Sequence, residues 1–194
     1  MTPNATVRPL APQTRIGHVH LKVSDLDRAI RFYRDVLGFE LTQRYGRQAA
    51  FLSAGGYHHH IGLNTWESAE GSPPPPGTTG LYHLAILYPM RADLANALRR
   101  LLDAGISLEG ASDHGVSEAL YLRDPDGNGV ELYWDRPRDQ WPRNRQGEIR
   151  SEILELVAMN QLDLIDSLIG TETERAIVSR IVSGRRNLRD RFAF

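Results

Sequence analysis

The chain has 194 residues, of which 23 are basic and 24 acidic, so its formal net charge is −1. This balance gives no electrostatic reason to expect binding to nucleic acid or to an acidic membrane. The chain contains no cysteine, which excludes disulfides, thiolate metal sites and cysteine nucleophiles. No apolar run approaches the roughly 20 residues needed to span a bilayer, so we expect a cytoplasmic protein.

The first half of the chain contains a strand pattern followed by a helix pattern. Residues 16–23 alternate apolar and polar side chains, as a half-buried strand does. Ser24 and Asp27 have the spacing of a capping box, which predicts a helix that begins there and ends at Gly38. The same order of strand, helix and stop glycine returns at residues 80–105, so we predict an internal repeat.

Three short strand-like runs follow each predicted helix. They lie near residues 39–45, 48–53 and 57–65 in the first copy, and near 106–109, 116–122 and 129–134 in the second. Each copy therefore has the pattern strand–helix–strand–strand–strand. This order predicts an α+β fold built from two paired βαβββ modules.

Composition indicates where the modules begin and end. Module one is predicted to span residues 15–67 and module two residues 80–137. A stiff, proline-rich tether at residues 71–77 joins them, since four consecutive prolines favour an extended chain. Residues 1–14 contain prolines and no apolar cluster, and we predict a flexible arm there.

The last part of the chain, residues 147–194, has a helical pattern. Apolar side chains recur at helical spacing, for example at Ile149, Ile153 and Leu156. Amphipathic helices of this kind usually pack on a sheet or on a second subunit. We therefore expect a helical extension that serves as a lid or as a contact in a homo-oligomer.

Strand alternation predicts which side chains of each module face away from its helix. Apolar residues at alternate positions pack under the helix, which leaves His18, His60, His83 and Glu131 on the helix-free face. A carboxylate within an apolar strand is costly unless it is paired or bound to a metal. Two imidazoles and one carboxylate form the facial triad typical of non-haem Fe(II) oxygenases. Each residue alone would suit an ordinary surface position, but their matched places in both copies favour a shared site.

Three phrases of the sequence resemble the vicinal oxygen chelate superfamily, which includes glyoxalase I, fosfomycin- and bleomycin-resistance proteins and extradiol dioxygenases. The phrases are His18-Val-His-Leu-Lys-Val-Ser-Asp-Leu-Asp, Phe32-Tyr-Arg-Asp-Val-Leu-Gly-Phe and Asp124-Pro-Asp-Gly-Asn-Gly-Val-Glu-Leu. The resemblance covers roughly residues 15–137 and is strongest toward extradiol enzymes of the catechol-2,3-dioxygenase kind. It implies that the paired modules form an open, eight-stranded half-barrel around a metal.

The resemblance implies a metal centre and an activity. Its ligands would be His18, His83 and Glu131, with His60 as a possible fourth or outer ligand. The metal would be Fe(II), with Mn(II) as the alternative. The partners would be a small catechol-type aromatic diol and O₂, and the reaction would be extradiol ring cleavage.

The resemblance also implies three residues beside the metal. A histidine that moves a proton matches His59, with His58 and His60 as close rivals. A tyrosine ten residues before the ligand glutamate matches Tyr121, and a substrate-holding histidine matches His114.

Two other kinds of function stay open at this point. One is a metal-dependent enzyme that does not use O₂, such as a glyoxalase I-like isomerase or a thiol transferase of the fosfomycin-resistance type. The other is a metal-free drug-binding protein. Extradiol enzymes of this kind usually carry four modules, whereas this chain carries two, so a partner subunit or the C-terminal region would have to replace the missing half.

Overall fold

The computed structural model describes residues 8–150 and 154–155, which form two sheets with a helix on each. The strands of the first sheet are β1 (Val19–Lys22), β2 (Glu40–Tyr45), β3 (Ala49–Ser53) and β4 (Ile61–Asn64). Those of the second are β5 (Leu84–Leu87), β6 (Gly110–Asp113), β7 (Ser117–Arg123), β8 (Gly129–Asp135) and β9 (Leu154–Glu155). Helix α1 (Leu26–Ile30) continues as a π-helical turn over Arg31–Val36, helix α2 spans Arg91–Asp103, and a 3₁₀ turn covers Arg138–Gln140.

The two sheets have the same connectivity. The strand order is β1-β4-β3-β2 in the first sheet and β5-β8-β7-β6 in the second, where β9 is added at the edge. The first and last strands of each module, β1 with β4 and β5 with β8, are parallel neighbours. The predicted α+β fold of two βαβββ modules is therefore confirmed. Because these first and last strands are neighbours, polar residues at matching positions of the two strands lie side by side.

A single hydrophobic core joins the two modules. Leu63 of the first sheet and Leu132 of the second are both fully buried in it, together with Leu98 of α2. Burial alternates along β1 as predicted, because Leu21 is buried while its neighbour His20 is exposed. The helix-free faces of the strands thus carry the polar side chains. None of the described helices is long and apolar enough to cross a bilayer.

The residue that caps the start of α1 is not the predicted one, because the predicted cap binds a residue of module two. The cap is Asp25, whose carboxylate accepts the backbone N–H of Arg28 at 3.0 Å. Ser24, the predicted cap, instead donates its backbone N–H and its hydroxyl to Oδ1 of Asp126, at 2.8 and 2.6 Å. The hydroxyl hydrogen is therefore donated to a turn of the other module, while the hydroxyl oxygen accepts from the side chain of Arg28 and caps no backbone N–H of α1.

A second, fully buried hydrogen bond joins the same turn of module two to the π-helical turn that continues α1. The hydroxyl of Tyr33 donates to Oδ2 of Asp124 at 2.9 Å. Asp124 also accepts the backbone N–H groups of Asp126 and Asn128 and the side-chain amide of Asn128. Burial raises the pKa of Tyr33 well above its ordinary value, so the phenol keeps the hydrogen that it donates. The two motifs of the resemblance thus bind each other across the modules.

The strand predicted near residues 106–109 lies later in the chain, at β6. Ile106 and Leu108 are half-buried against the core without belonging to a strand. Ladder pairing with β7 begins at Gly110, which lies opposite Tyr121. Apolar alternation alone predicted a strand here, but a loop that covers the core has the same pattern.

The helical extension predicted for residues 147–194 lies almost wholly outside the described residues. Where the structure describes this part, the helix is wrong: Ile149 forms a bridge with Arg143, and β9 pairs with β6. The backbone there bonds to neighbouring extended segments rather than to itself. The described part of the predicted arm, residues 8–14, is exposed, and its flexibility stays a prediction, as do the module boundaries.

Candidate metal centre

The two predicted metal ligands of module two are in contact. Nε2 of His83 lies 2.9 Å from Oε2 of Glu131. Two ligands at adjacent positions of an octahedral ion, each bonded at about 2.1 Å, are separated by roughly 3 Å. The two donor atoms therefore have a spacing that suits a shared divalent ion as well as a direct hydrogen bond.

The register of the second sheet sets this contact. Glu131 lies opposite Ala85 of β5, whose small side chain leaves the helix-free face to the glutamate. His83 directly precedes β5 and lies beside Gly129 of β8. A Cβ at Gly129 would lie 3.0 Å from Cβ of His83 and would clash with the carbonyl oxygen of Tyr82. Glycine is thus needed for the chain before β5 to approach β8.

A chain of hydrogen bonds orients Glu131 from its other oxygen. Tyr121 lies directly opposite Glu131, and its hydroxyl donates to Oε1 at 3.1 Å. Nε2 of His114 lies 2.8 Å from the same hydroxyl. Because the hydroxyl has one hydrogen, His114 must be the donor in that contact. Burial, and then the charge of Glu131, raises the pKa of Tyr121 well above its ordinary value, so the phenol stays protonated.

The carboxylate of Glu131 fits a metal better than it fits the protein alone. Its side chain is 13% exposed, and no Arg or Lys of the described residues pairs with it. Nδ1 of His83 is buried and has no hydrogen-bond partner there either. A largely buried carboxylate with no cationic Arg or Lys partner, and a buried imidazole nitrogen with no hydrogen bond, are both costly. Their donor atoms are those that Fe(II) and Mn(II) accept in proteins.

The corresponding face of module one carries a row of rings. The ring of His18 lies 4.4 Å from that of His59, centre to centre, and the ring of His59 lies 4.9 Å from Phe51. The row continues from Phe51 to His20 at 6.0 Å and from His20 to Trp66 at 5.6 Å. His18 and His20 are exposed, as the alternation predicts for the helix-free face.

His59 and His58 are joined by a hydrogen bond. Their Nδ1 atoms are 2.7 Å apart, so one ring donates and the other accepts. Partial burial, and then the nearby His18, lowers the pKa of His59. The neutral form of His59 is therefore favoured at neutral pH.

His60, the third of these consecutive histidines, has different contacts. Its Nδ1 accepts the backbone N–H of Ala54 at 3.3 Å and lies 3.0 Å from the hydroxyl of Ser53. This nitrogen is engaged with the end of β3. The predicted role of His60 as a fourth or outer ligand gains no support from these contacts and stays a prediction.

The register shows which residue of module one matches Glu131. Glu131 lies opposite Ala85, which is two residues after His83; in module one, Gly62 lies opposite His20, which is two residues after His18. Position 62, rather than position 60, is thus the counterpart of the acidic ligand. A glycine there has no side chain to offer a metal.

The predicted site residues fall into two groups in the described structure. One contains His83, Glu131, Tyr121 and His114, and the other contains His18 with its neighbours. Within residues 8–150, no three His, Asp or Glu side chains are arranged to hold one ion. The full set of three ligands therefore stays a prediction. It requires either a movement that brings His18 to the pair or a histidine from a partner subunit.

Three features of the site were not predicted from the sequence. Gly129 and Gly62 make room for His83 and His20, and the contact of Tyr33 with Asp124 joins the modules. A glycine inside a patterned strand is a signal of close approach, and both glycines lie within such strands. The residue that approaches follows from the strand register, which the pattern alone does not supply.

The chain is similar to curated dioxygenases along part of their length. It is 48% identical over 134 residues to a catechol-2,3-dioxygenase of Bacillus subtilis (strain 168), a match that covers 69% of this chain and 46% of that protein. It is 36% identical over 122 residues to biphenyl-2,3-diol 1,2-dioxygenase 3 of Rhodococcus globerulus, covering 62% and 63% respectively. The chain thus spans only about half to two thirds of the length of these two relatives.

The metals named among the relatives differ. One relative, from Geobacillus genomosp. 3, is named a manganese-dependent 2,3-dihydroxybiphenyl 1,2-dioxygenase and is 24% identical to this chain over 142 residues, which cover 72% of this chain and 42% of that protein. Another, from Rhodococcus jostii (strain RHA1), is named an iron-dependent extradiol dioxygenase and is 29% identical over 127 residues, which cover 60% and 42%. These names leave the metal of this chain undetermined.

The fold is also found in a solved structure that matches along almost its whole length. A lactoylglutathione lyase from Agrobacterium tumefaciens matches with a TM-score of 0.50 and 28% identity, covering 64% of this chain and 96% of that one. Residues 15–132 match the family model described as Glyoxalase/Bleomycin resistance protein/Dioxygenase superfamily. That span contains module one, module two as far as Leu132, and every residue of the candidate centre. The chain therefore belongs to the glyoxalase/bleomycin resistance protein/dioxygenase superfamily.

Proposed function

We propose that this protein is an extradiol dioxygenase that cleaves a catechol-type aromatic diol with O₂. The observation that carries the proposal is the contact between His83 and Glu131, in which Tyr121 orients the carboxylate. The names of the two relatives with the highest identity quoted above support the same chemistry. His18 is the proposed third ligand.

The reaction joins one diol to one O₂. The ring bond next to the two hydroxyl-bearing carbons breaks, and both oxygen atoms of O₂ end in a ring-opened semialdehyde acid. When bound, a divalent iron or manganese ion supplies the positive charge that favours the ionised diol and the electron exchange with O₂.

The residues of module two keep the site in one arrangement. Tyr121 holds Oε1 of Glu131, which leaves Oε2 directed at His83. His114 donates to Tyr121 and thereby fixes the direction of the phenol hydrogen. A preorganised carboxylate does not have to reorient when a ligand binds, which is how outer residues of metal sites raise affinity.

His59 is the proposed proton carrier. It lies next to His18, and in the tautomer whose Nδ1 donates to His58, Nε2 of the neutral imidazole is free to accept a proton from a hydroxyl of the diol. The same nitrogen then returns the proton as the ring opens. His58, hydrogen-bonded to Nδ1 of His59, holds the ring in place during both steps.

The site offers little support for a glyoxalase-type isomerase. Such an enzyme has a further acidic ligand in module one, and the counterpart position here is Gly62. A metal-free drug-binding protein would leave the partly buried carboxylate of Glu131 without a cation.

One experiment tests the proposal and separates its rivals. The protein is purified under nitrogen, loaded with Fe(II) or Mn(II) in separate samples, and mixed with catechol in air. We expect a new visible absorbance and the uptake of one O₂ per diol. The same samples receive methylglyoxal with glutathione, and turnover of that pair without ring cleavage would contradict the proposal in favour of an isomerase.

A further inference from the structure

His20 lies on the candidate site's face of module one and has no part in the proposed metal chemistry. It follows by two residues the proposed ligand His18, which directly precedes β1, and two residues of extended chain span about 7 Å. That separation matches the span of a benzene ring with one substituent. A diol bound near His18 would therefore place a ring substituent near His20.

The fold has made room for this imidazole. Gly62 lies directly opposite His20 in β4. A Cβ at Gly62 would lie 2.9 Å from Cγ of His20 and 3.0 Å from Cδ2 and Nδ1, closer than a side chain tolerates. The ring thus lies across bare backbone, and a larger residue at position 62 would force it to shift.

Aromatic rings flank His20, and its polar atoms remain available. Phe51 contacts it edge to face, with ring centres 6.0 Å apart, and the ring of Trp66 lies 5.6 Å from it in a tilted contact. Trp66 is 54% exposed, so this wall is open to a ligand. Within the described part of the chain, neither ring nitrogen of His20 makes a hydrogen bond. The arrangement combines two flat apolar walls with one unused N–H donor.

The charged groups around His20 favour an anion. The same face of β1 carries Lys22, and His18 and His59 lie along the row of rings. The described acid in contact with this face is Glu67, which is exposed and lies 3.5 Å from Lys22. An aromatic ligand with a negative substituent is therefore favoured over one with a positive substituent.

We infer that His20 is a specificity-determining residue that donates a ring N–H to a carboxylate substituent of the aromatic diol, while Phe51 and Trp66 flank its ring. This inference rests on the proposed function and adds the substrate class, namely diols that carry a carboxylate side chain. The donation requires only the neutral imidazole, which always carries one N–H.

The test compares two probes of similar size, 3,4-dihydroxyphenylacetate and the uncharged 4-ethylcatechol. Their dissociation constants are measured calorimetrically under nitrogen on the Fe(II)-loaded protein and on three variants. His20→Leu removes the donor, His20→Gln restores an N–H donor, and Lys22→Met removes a neighbouring charge from the same strand face. Thermal unfolding of each variant establishes that it is folded.

We expect the natural protein to bind the carboxylate probe roughly tenfold more tightly than the uncharged one, as for one hydrogen bond to a charged group. His20→Leu should abolish most of that ratio, and His20→Gln should restore part of it. Lys22→Met should keep most of it, because Lys22 is exposed and already paired with Glu67. Equal binding of both probes, binding of neither, or a ratio that survives in His20→Leu overturns the inference. Oxygen uptake is measured separately: binding preference without ring cleavage would contradict the proposed function and leave the role of His20 standing.

Discussion

The two modules share one connectivity, and the pair of residues at one cross-strand position sets their helix-free faces apart. Module one pairs His20 with Gly62, and module two pairs Ala85 with Glu131. Each pair places a single long polar side chain on the helix-free face and a small residue opposite it. The duplicated fold thus provides two equivalent places, and exchanging the large and small residues between strands puts an imidazole in one and a carboxylate in the other.

The modules also differ in how firmly their polar groups are held. Glu131 is fixed through both oxygens, by Tyr121 and by His83. The histidines of module one contact one another mainly through their rings, with one hydrogen bond between His58 and His59. This contrast indicates a preorganised acidic half and a more adjustable imidazole half.

Removing the acid of module two should have the largest effect. Glu131→Gln keeps the shape of the side chain but removes the charge that a cation requires. We expect affinity for Fe(II) or Mn(II) to fall at least about hundredfold, measured by metal retained after dialysis. The control is Glu109→Gln, which removes an exposed acid paired with Arg123 in the same module and should retain its metal. Equal retention in both variants would show that Glu131 is not a ligand.

The close approach in module two should be costly to disturb. Gly129→Ala places a methyl group against Tyr82 and His83, and we expect a loss of about 3 kcal/mol in the free energy of unfolding. Gly110→Ala in β6 is the matched control, since a Cβ there meets nothing within 4 Å. Urea unfolding of both variants measures the difference. Similar stabilities would mean that β5 and β8 have room to separate.

The contact between the modules should contribute less than this. Tyr33→Phe leaves one oxygen of the buried Asp124 with a donor fewer, and we expect a loss of about 2 kcal/mol. The control is Tyr45→Phe on β2, whose side chain is 68% exposed and should change stability little. Urea unfolding midpoints provide the measurement. A Tyr33→Phe protein as stable as its control would show that the hydrogen bond between Tyr33 and Asp124 does not stabilise the fold.

The orientation of Glu131 depends on a single hydroxyl. Tyr121→Phe should weaken metal binding about tenfold without unfolding the protein, because the carboxylate loses the group that holds Oε1. Tyr133→Phe removes a hydroxyl from a neighbouring position of β8 and serves as the control. Competition with a metal chelator measures both affinities; identical values for the two variants would argue against an orienting role.

Alkaline pH should lower the stability of the fold, because the buried phenol of Tyr33 resists ionisation. Burial raises its pKa in the folded protein, whereas an unfolded tyrosine ionises near pH 10. Above that pH the unfolded state holds fewer protons than the folded state, so stability falls as pH rises, by up to about 1.4 kcal/mol per pH unit. Unfolding measured between pH 9 and pH 11 tests this, and Tyr33→Phe should show a shallower slope. Equal slopes would mean that Tyr33 is not the source.

Much of the fold follows from local patterns. Alternating apolar residues and the stop glycine at Gly38, which has a φ of +91°, were sufficient to predict two repeated units and their helix-free faces. The cap of α1 was misassigned because Ser24 binds Asp126, a residue far away in sequence. The strand placed near residues 106–109 was wrong because apolar loop residues packed on the core alternate as a strand does.

The candidate site, like the fold, was predicted in part from local patterns and decided in part by tertiary contacts. Residue type and alternation alone predicted that His18, His83 and Glu131 share the helix-free face, because a strand repeats every two residues. Which side chains meet is decided by strand register and by the approach of one backbone to another. Only the tertiary structure therefore placed His83 against Glu131, identified Gly62 as the counterpart of the acid, and set His18 among the rings of module one.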